Sequence, residues 1–443
     1  MKLKKIAALI AIAGMSAPAF ATNGMNMEGY GPVATGMGGA SFAYDNGTAG
    51  MINNPATLGM MKSGTSRLDI AVGGLHPDVR SSMGAAKAGS DGDAYFMPAA
   101  GYVRKDGNVA WGIGMMAQGG MGTEYGKNSF LSQGSGMENR SELGLGRIIF
   151  PVAYDVSDNF RLGGSIDYLW GGLDLQMVMS TAAIGGMMMG TSAIGSASAT
   201  GGMAGGFGPA AWAQFDFSKG TNKFTQELTT NGWALNLGFT WKAAPNLTVG
   251  GVYHAKTHLS DMSGKGALNV DGMGAITGKL KVVDFQWPET YGIGLAYQAT
   301  DRLMLAADYK RINWSDTMKN FQMHFAADNA AMGTMDAKLF QNWDDQNVFM
   351  IGGSYKYADA LTLRAGLNLA NNPISDKYLN FLFPATVKNH LALGFGYAFS
   401  PASSVDFSYT YAPEVSGTNP NMGNIKTTHS QTNNWQAMYS HRF

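Results

Sequence analysis

The sequence predicts an all-β protein, a transmembrane antiparallel β-barrel of about fourteen strands with an N-terminal plug (hatch) in its lumen. Three observations carry this: a closing segment that ends on an aromatic residue, apolar and polar residues that alternate down the chain, and connections that alternate between short and long. In the closing segment, Thr428 to Phe443, one parity holds Trp435, Ala437, Tyr439, His441 and Phe443. The other holds Gln436, Met438, Ser440 and Arg442. A strand sends successive side chains to opposite faces, so one face here is apolar and the other polar. That is what a barrel strand needs between lipid and lumen.

The amino terminus reads as an export signal over 1–21. Three lysines lie within Met1–Lys5, an apolar run follows from Ile6 to Gly14, and Ala19-Phe20-Ala21 has the small-x-small form of a cleavage site. The apolar run is too short to cross a bilayer, which takes about twenty residues, and no later stretch reaches that length. Composition agrees with a barrel. Only 14 % of residues are charged, against roughly 25 % in ordinary soluble domains. The absence of cysteine removes disulfides, thiolate metal sites and thiol nucleophiles together. A formal net charge of zero argues against a nucleic-acid partner.

Alternation recurs in order. Trp233, Leu235, Leu237, Phe239 and Trp241 oppose Ala234, Asn236, Gly238 and Thr240; Leu391, Leu393, Phe395, Tyr397 and Phe399 oppose His390, Ala392, Gly394, Gly396 and Ala398. Strands are expected near 66–79, 94–105, 108–122, 143–156, 159–179, 231–242, 246–264, 279–299, 302–316, 345–358, 361–374, 387–400, 403–415 and 428–443. Tight turns such as Lys105-Asp106-Gly107, Ser157-Asp158 and Asp359-Ala360 separate longer segments, the longest being 180–230 and 317–344. Short turns on one rim and long loops on the other place both termini on the periplasmic side of an outer membrane, with the barrel over 66–443.

Residues 22–65 do not alternate. Turn formers are frequent, yet Met25, Met27, Tyr30, Val33, Phe42, Tyr44, Met51, Ile52 and Leu58 are too apolar for a disordered arm. Such a segment needs burial, and the lumen offers it.

From Gly36 to Ala56 the chain has the form G-x-G-G-A-x-x-A-x-D-x-x-x-x-x-x-x-x-N-P-A. With Trp287-Pro288-Glu289, Ile312-Asn313-Trp314-Ser315 and Asn371-Asn372-Pro373, it resembles the outer-membrane long-chain fatty acid and aromatic-hydrocarbon transporters of the FadL/TodX/OmpP1 type. The resemblance implies a fourteen-stranded barrel whose hatch carries Gly36, Gly38, Gly39, Asp45, Asn54, Pro55 and Ala56. It also implies capture of apolar solutes by external loops and sideways release at a kink in the third strand. Gly119, Gly120 and Gly122 are the candidates for the kink, since glycines inside a strand permit a bulge; packing of these glycines against the hatch is the other reading. Met187, Met188, Met189, Met203, Phe207 and Trp212 make the loop 180–230 unusually apolar. They are candidate capture residues, with plain loop packing as the alternative.

No lysine or arginine occurs from Leu162 to Ser218, so the expected ligand is neutral or weakly polar; Lys310 and Lys319 are the nearest basic candidates for an acid head group. By parity Asp308 shares the lumen face with Lys310 and is expected to neutralise it. A polar-solute porin would need an empty, charged lumen, and an adhesive surface barrel would need polar loops. Enzyme readings rest on His429-Ser430, Asp344-Asp345, Asp91-Gly92-Asp93 and the pair His254/His258, placed on one strand roughly 13 Å apart. None has the spacing its chemistry requires. The expected protein is not an enzyme and has no cofactor and no metal. It is a monomer of the outer membrane, whose partners are a hydrophobic small molecule, outer-membrane lipid and lipopolysaccharide, and the barrel assembly machinery.

Overall fold

The computed structural model describes residues 23–443 apart from Thr221 and Phe224, so the expected signal segment 1–21 lies outside the described residues. In chain order the strands are β1 (Thr65–Leu75), β2 (Pro77–Met83), β3 (Ala86–Gly89), β4 (Tyr95–Asp106), β5 (Val109–Tyr125), β6 (Asn139–Asp155) and β7 (Phe160–Ser180). There follow β8 (Gly195–Ala199), β9 (Trp212–Phe217), β10 (Leu228–Ala244), β11 (Leu247–His254), β12 (His258–Leu259), β13 (Met262–Val270), β14 (Gly274–Val283), β15 (Thr290–Gln298) and β16 (Leu303–Ile312). The last are β17 (Asn320–Ala327), β18 (Thr334–Phe340), β19 (Gln346–Lys356), β20 (Leu361–Ala370), β21 (Asn389–Ala398), β22 (Ser403–Asn419) and β23 (Ile425–Arg442).

The sheet closes on itself. Antiparallel pairing runs from β1 through β4, β5, β6, β7, β10, β11, β15, β16, β19, β20, β21, β22 and β23 and back to β1. The C-terminal aromatic completes the seam, where Phe443 N–H donates to the Ser66 carbonyl (2.9 Å) and the Phe443 carbonyl accepts from Ser66 N–H (3.2 Å).

The one sheet holds 23 strands among the described residues, more than the expected fourteen or so, because segments beyond the rim pair into the same sheet. Two expected strands are broken. Segment 246–264 ends at His254 and resumes as β12 and β13, and 279–299 divides into β14 and β15 around Phe285–Glu289. His254 and His258 therefore do not share a strand, and His258 instead stacks on Trp233 at 4.6 Å. The long segments 180–230 and 317–344 are not irregular either. They contain β8, β9, β17, β18 and a helix at Thr181–Met188, since their own alternating stretches pair beyond the rim.

The barrel is apolar outside and polar inside. Trp233, Leu235, Leu237 and Trp241 are exposed while Ala234, Asn236 and Thr240 between them are buried. Inward charges are paired: Arg147 with Asp167 at 2.6 Å and Arg364 with Asp406 at 2.8 Å. Such pairing matters where burial makes a lone charge costly.

Residues 23–64 contact strands all round the ring. Asn23 donates to Asn368 (3.1 Å), Asn54 to the Phe239 carbonyl (3.1 Å) and Tyr30 to the Gln118 carbonyl (2.7 Å). The segment contains short helical turns at Pro32–Thr35, Gly50–Asn53 and Pro55–Met60 rather than wholly irregular chain. Burial raises the pKa of the Tyr30 and Tyr44 hydroxyls, so both remain hydrogen-bond donors. Wall glycines make room for its backbone. A Cβ would lie 1.9 Å from the Phe42 carbonyl oxygen at Gly250 and 2.2 Å from Gly38 N at Gly366. Gly250→Val should therefore leave a heat-modifiable folded barrel but loosen this segment, at a cost of roughly 1–3 kcal/mol. A lower melting temperature and new protease cleavage within 23–64 are the expected readouts; wild-type resistance would contradict this packing.

Candidate functional site

The β4–β5 ladder is incomplete. Pairing runs from Asp106↔Val109 up to Ala100↔Met115 and stops. Beyond it, Tyr95–Ala99 pair with β1 and Met116–Tyr125 with β6, and the two stretches do not pair with each other. Pro98 on β4 has no N–H to give to a neighbouring strand, which helps end the pairing there. Above the interruption the wall rejoins, where Asp91 N–H donates to the Glu124 carbonyl (2.8 Å). The result is a bounded window beside the third strand of the ring. It is lined by Met97, Pro98, Ala99, Met116 and Ala117 of the wall and by Met27, Tyr30 and Gly31 of the N-terminal segment, around a cavity of about 40 Å³.

A bulge between Ala117 and Gly119 shifts the β5–β6 register, leaving Gln118 as the extra residue. Gln118 Nε2 donates to Asn26 Oδ1 at 2.9 Å. The same oxygen accepts from Trp287 Nε1 at 2.5 Å. Asn26 also forms an isolated antiparallel bridge with Gly119, so the N-terminal segment takes up part of the pairing that β4 leaves open. A Cβ on Gly119 would sit 2.0 Å from the Met25 carbonyl oxygen and 3.0 Å from the Trp287 ring. Both readings of the glycine cluster thus have a counterpart here, the bulge and the close packing. Gly120 and Gly122 border a small cavity with Pro384, Ala385 and His429.

Asn54 is fully buried. Its side chain accepts from Ala56 N–H (3.1 Å) and donates to the Phe42 (2.6 Å) and Phe239 carbonyls, joining two stretches of the segment to the wall. Pro55 opens the turn that Asn54 caps. Gly38 and Gly39 have positive φ (70° and 91°), and a Cβ on either would strike backbone of Leu367 or Glu28. Gly36 lies against Gly394. Asp45 is at the margin, 3.9 Å from Arg67 and accepting from Gly47 N–H.

At the long-loop rim a cleft of about 250 Å³ lies between the end of β7, the β17–β18 hairpin and the loop 371–388. Met177, Met179, Ile194, Leu339, Phe381 and Leu382 supply its apolar lining, and none of its lining residues is charged. The expected capture residues are placed differently. Met187, Met203 and Phe207 are buried in the loop core, Met188 and Trp212 are half-buried and Met189 is exposed. None of the six lines the cleft. Loop 371–388 was missed by the sequence reading. Its signal is the apolar run Leu379, Phe381, Leu382, Phe383 between Asn371-Asn372-Pro373 and Pro384. Thr123 and Ser141 hold it by donating to the Phe381 and Leu382 carbonyls (3.1 and 2.5 Å).

A deeper pocket of about 50 Å³ is polar, with Glu28, Arg147, His254 and Lys310 among its walls. Asp308 does not form an ion pair with Lys310 among the described residues. Its carboxylate instead accepts from Ser41 N–H (2.6 Å) and Phe42 N–H (3.0 Å), because the segment's backbone donors are nearer than the ammonium. Lys319 is exposed and lines neither cavity. Of the pairs weighed for catalysis, Asp345 pairs with Arg311 at 2.6 Å and His429 Nδ1 lies 2.8 Å from the Pro384 carbonyl.

A closed, apolar-faced barrel with a lateral window and an uncharged cleft at one rim is a membrane transport protein of the outer membrane. The chain belongs to the outer membrane protein transport protein family (OMPP1/FadL/TodX), which it matches over residues 7–440. Its structure is similar to that of the toluene transporter TodX of Pseudomonas putida, with a TM-score of 0.83 and 29 % identity over 94 % of this chain and 99 % of that one. The toluene transporter TbuX of Ralstonia pickettii is similar at a TM-score of 0.77 and 31 % identity, over 94 % and 99 % of the two chains. Outer membrane protein P1 of Haemophilus influenzae is 26 % identical over 186 residues, 42 % of this chain and 39 % of that protein. The chain thus spans well under two thirds of that curated relative's length.

Asn26→Leu should leave the Trp287 N–H and the Gln118 amide without their shared acceptor. A loss of roughly 1–3 kcal/mol in stability is expected, with altered tryptophan fluorescence as Trp287 loses its bond. A variant with wild-type melting and spectrum would remove Asn26 from the window's closure.

Proposed function

We propose that this chain carries small hydrophobic molecules into the cell envelope, taking them from outside at the loop cleft and releasing them sideways into the bilayer through the β4–β5 window. Residues 23–64 act as a hatch whose movement clears the window. The observation that carries this reading is the interrupted ladder, closed from within by Asn26 and lined by apolar side chains. An apolar solute gains little from a water-filled pore and much from a dry route into lipid. Loop 371–388 extends from the cleft toward the third strand, since Phe381 and Leu382 line the cleft while Pro384 and Ala385 border the small cavity at Gly120 and Gly122.

The ligand is a neutral or weakly polar hydrocarbon in preference to a fatty acid carboxylate. Two similar structures are toluene transporters, and the uncharged cleft supports an uncharged ligand. An unpaired carboxylate there would cost several kcal/mol. Lys310 sits beyond, among Glu28, Arg147 and His254. The protein acts as a monomer inserted by the barrel assembly machinery after removal of residues 1–21, and carries its ligand without chemical change.

Ala99→Trp with Ala117→Trp should fill the window, abolishing uptake of an alkylbenzene while its binding to intact cells persists. Transport at the wild-type rate would place the exit elsewhere. Replacing Asn54 and Pro55 by alanine should slow uptake with barrel assembly intact; unchanged uptake would take the hatch out of the mechanism.

Titration of the purified barrel with oleate and with an alkylbenzene of similar length tests the ligand class. The alkylbenzene should bind at least as tightly. Markedly tighter oleate binding, lost on Lys310→Met or Lys319→Met, would restore the fatty-acid reading.

A further inference from the structure

The rim cleft is uncharged but not free of polar atoms, and several of these are already engaged. Asn419 donates to the Leu379 carbonyl (2.8 Å) and accepts from Asn421 N–H (2.8 Å). Asn421 donates to the Lys377 carbonyl (3.0 Å), and Ser180 Oγ accepts from Ala183 N–H (3.1 Å). These side chains brace the loops that form the cleft's walls.

Gln341 differs. It follows β18 directly and continues the parity of Met335, Ala337 and Leu339, all buried on the inner face of that strand. It is itself only 3 % exposed and lines the cleft together with Leu339. Its backbone is fixed, because its N–H donates to the Lys319 carbonyl at 2.9 Å. Its side-chain amide, by contrast, hydrogen-bonds to no described residue. On the facing loop Asn380 is half engaged: Oδ1 accepts from Leu382 N–H at 2.9 Å, while Nδ2 donates to no described residue. An amide set among apolar side chains costs free energy until something hydrogen-bonds to it. A ligand seated in the cleft can supply that bond.

We propose that Gln341 is a specificity-determining residue, selecting apolar molecules that carry one hydroxyl, such as alkylphenols or aliphatic alcohols, over plain hydrocarbons of the same shape. A hydroxyl both donates and accepts, so it meets the amide whichever end, C=O or NH2, is turned to the ligand. A ketone or ester meets only the NH2 end. A carboxylate also only accepts, and it finds no cation in the lining. The apolar body of the ligand lies against Met177, Met179, Leu339 and Phe381. The inference rests on the cleft as the capture site and names which neutral ligands that site prefers. It is independent of the window and of the hatch.

The test titrates the purified wild-type barrel and the Gln341→Met variant, similar in volume, with para-butylphenol and with butylbenzene in detergent. Heat-modifiable mobility checks folding, and Gln341→Leu gives the same reading if the first variant does not assemble. The variant should bind para-butylphenol about tenfold more weakly, as expected when a buried hydrogen bond is lost without replacement. It should bind butylbenzene more tightly, because the hydrocarbon no longer has to cover an amide it cannot satisfy. A purely structural role for Gln341 would not split the two ligands in opposite directions. An unchanged preference between them, whether both affinities hold or both fall together, would overturn the proposal while leaving the cleft as the capture site. Leu339→Trp, which fills the cleft, should weaken both ligands. Wild-type affinity of that variant for para-butylphenol would place the hydroxyl's partner elsewhere and overturn the proposal. No binding of either ligand to the wild-type barrel would overturn the capture reading itself, and the inference with it.

Discussion

Inside a bilayer every backbone N–H and C=O must find a partner within the protein, and the rest of this structure follows from that requirement. It forces the sheet to close, and the Ser66–Phe443 pair of hydrogen bonds is where closure is completed. It also makes the β4–β5 interruption the most informative irregularity in the wall. Pro98 has no donor to leave unpaired, and the bulge at Gln118 turns an amide inward to Asn26. Part of the lost pairing is taken up by the bridge between Asn26 and Gly119. An element that closes a gap by hydrogen bonds can reopen it by exchanging them, which is what gives the proposed hatch its physical basis.

The lumen is filled by complementary shortening of the wall. Gly250, Gly366 and Gly238 stand where a side chain would collide with the backbone or with Asn54 of the N-terminal segment. The polar groups that remain are matched in place. Asp308 holds two backbone N–H groups of that segment, while Arg147 pairs with Asp167. Arg147 with Asp167 and Arg364 with Asp406 neutralise each other inside the wall, while Glu28, His254 and Lys310 stand about the deeper polar pocket.

Charge is distributed by depth. The rim cleft is uncharged, whereas the deeper pocket is polar and holds both signs.

The sequence by itself determined the elements whose signal is periodic or covalent. The alternation at Trp233–Trp241 and Leu391–Phe399 marks which side chains meet lipid, and each falls on the exterior. The Asn54-Pro55-Ala56 triplet identifies a capped turn, because its hydrogen bonds are local. Tertiary structure alone decided what depends on partners distant in the chain. Asp308 shares a face with Lys310, yet its bonds go to Ser41 and Phe42, some 266 residues away. Met187 and Met203 are buried rather than lining the cleft, since which methionines face a cavity depends on how β8 and β9 pair outside the barrel. The breaks at His254 and Phe285 followed the same logic: strand propensity continues through them, but pairing with another strand ends there. Periodicity records the environment on each side of a strand, whereas register and closure are set by which strands meet.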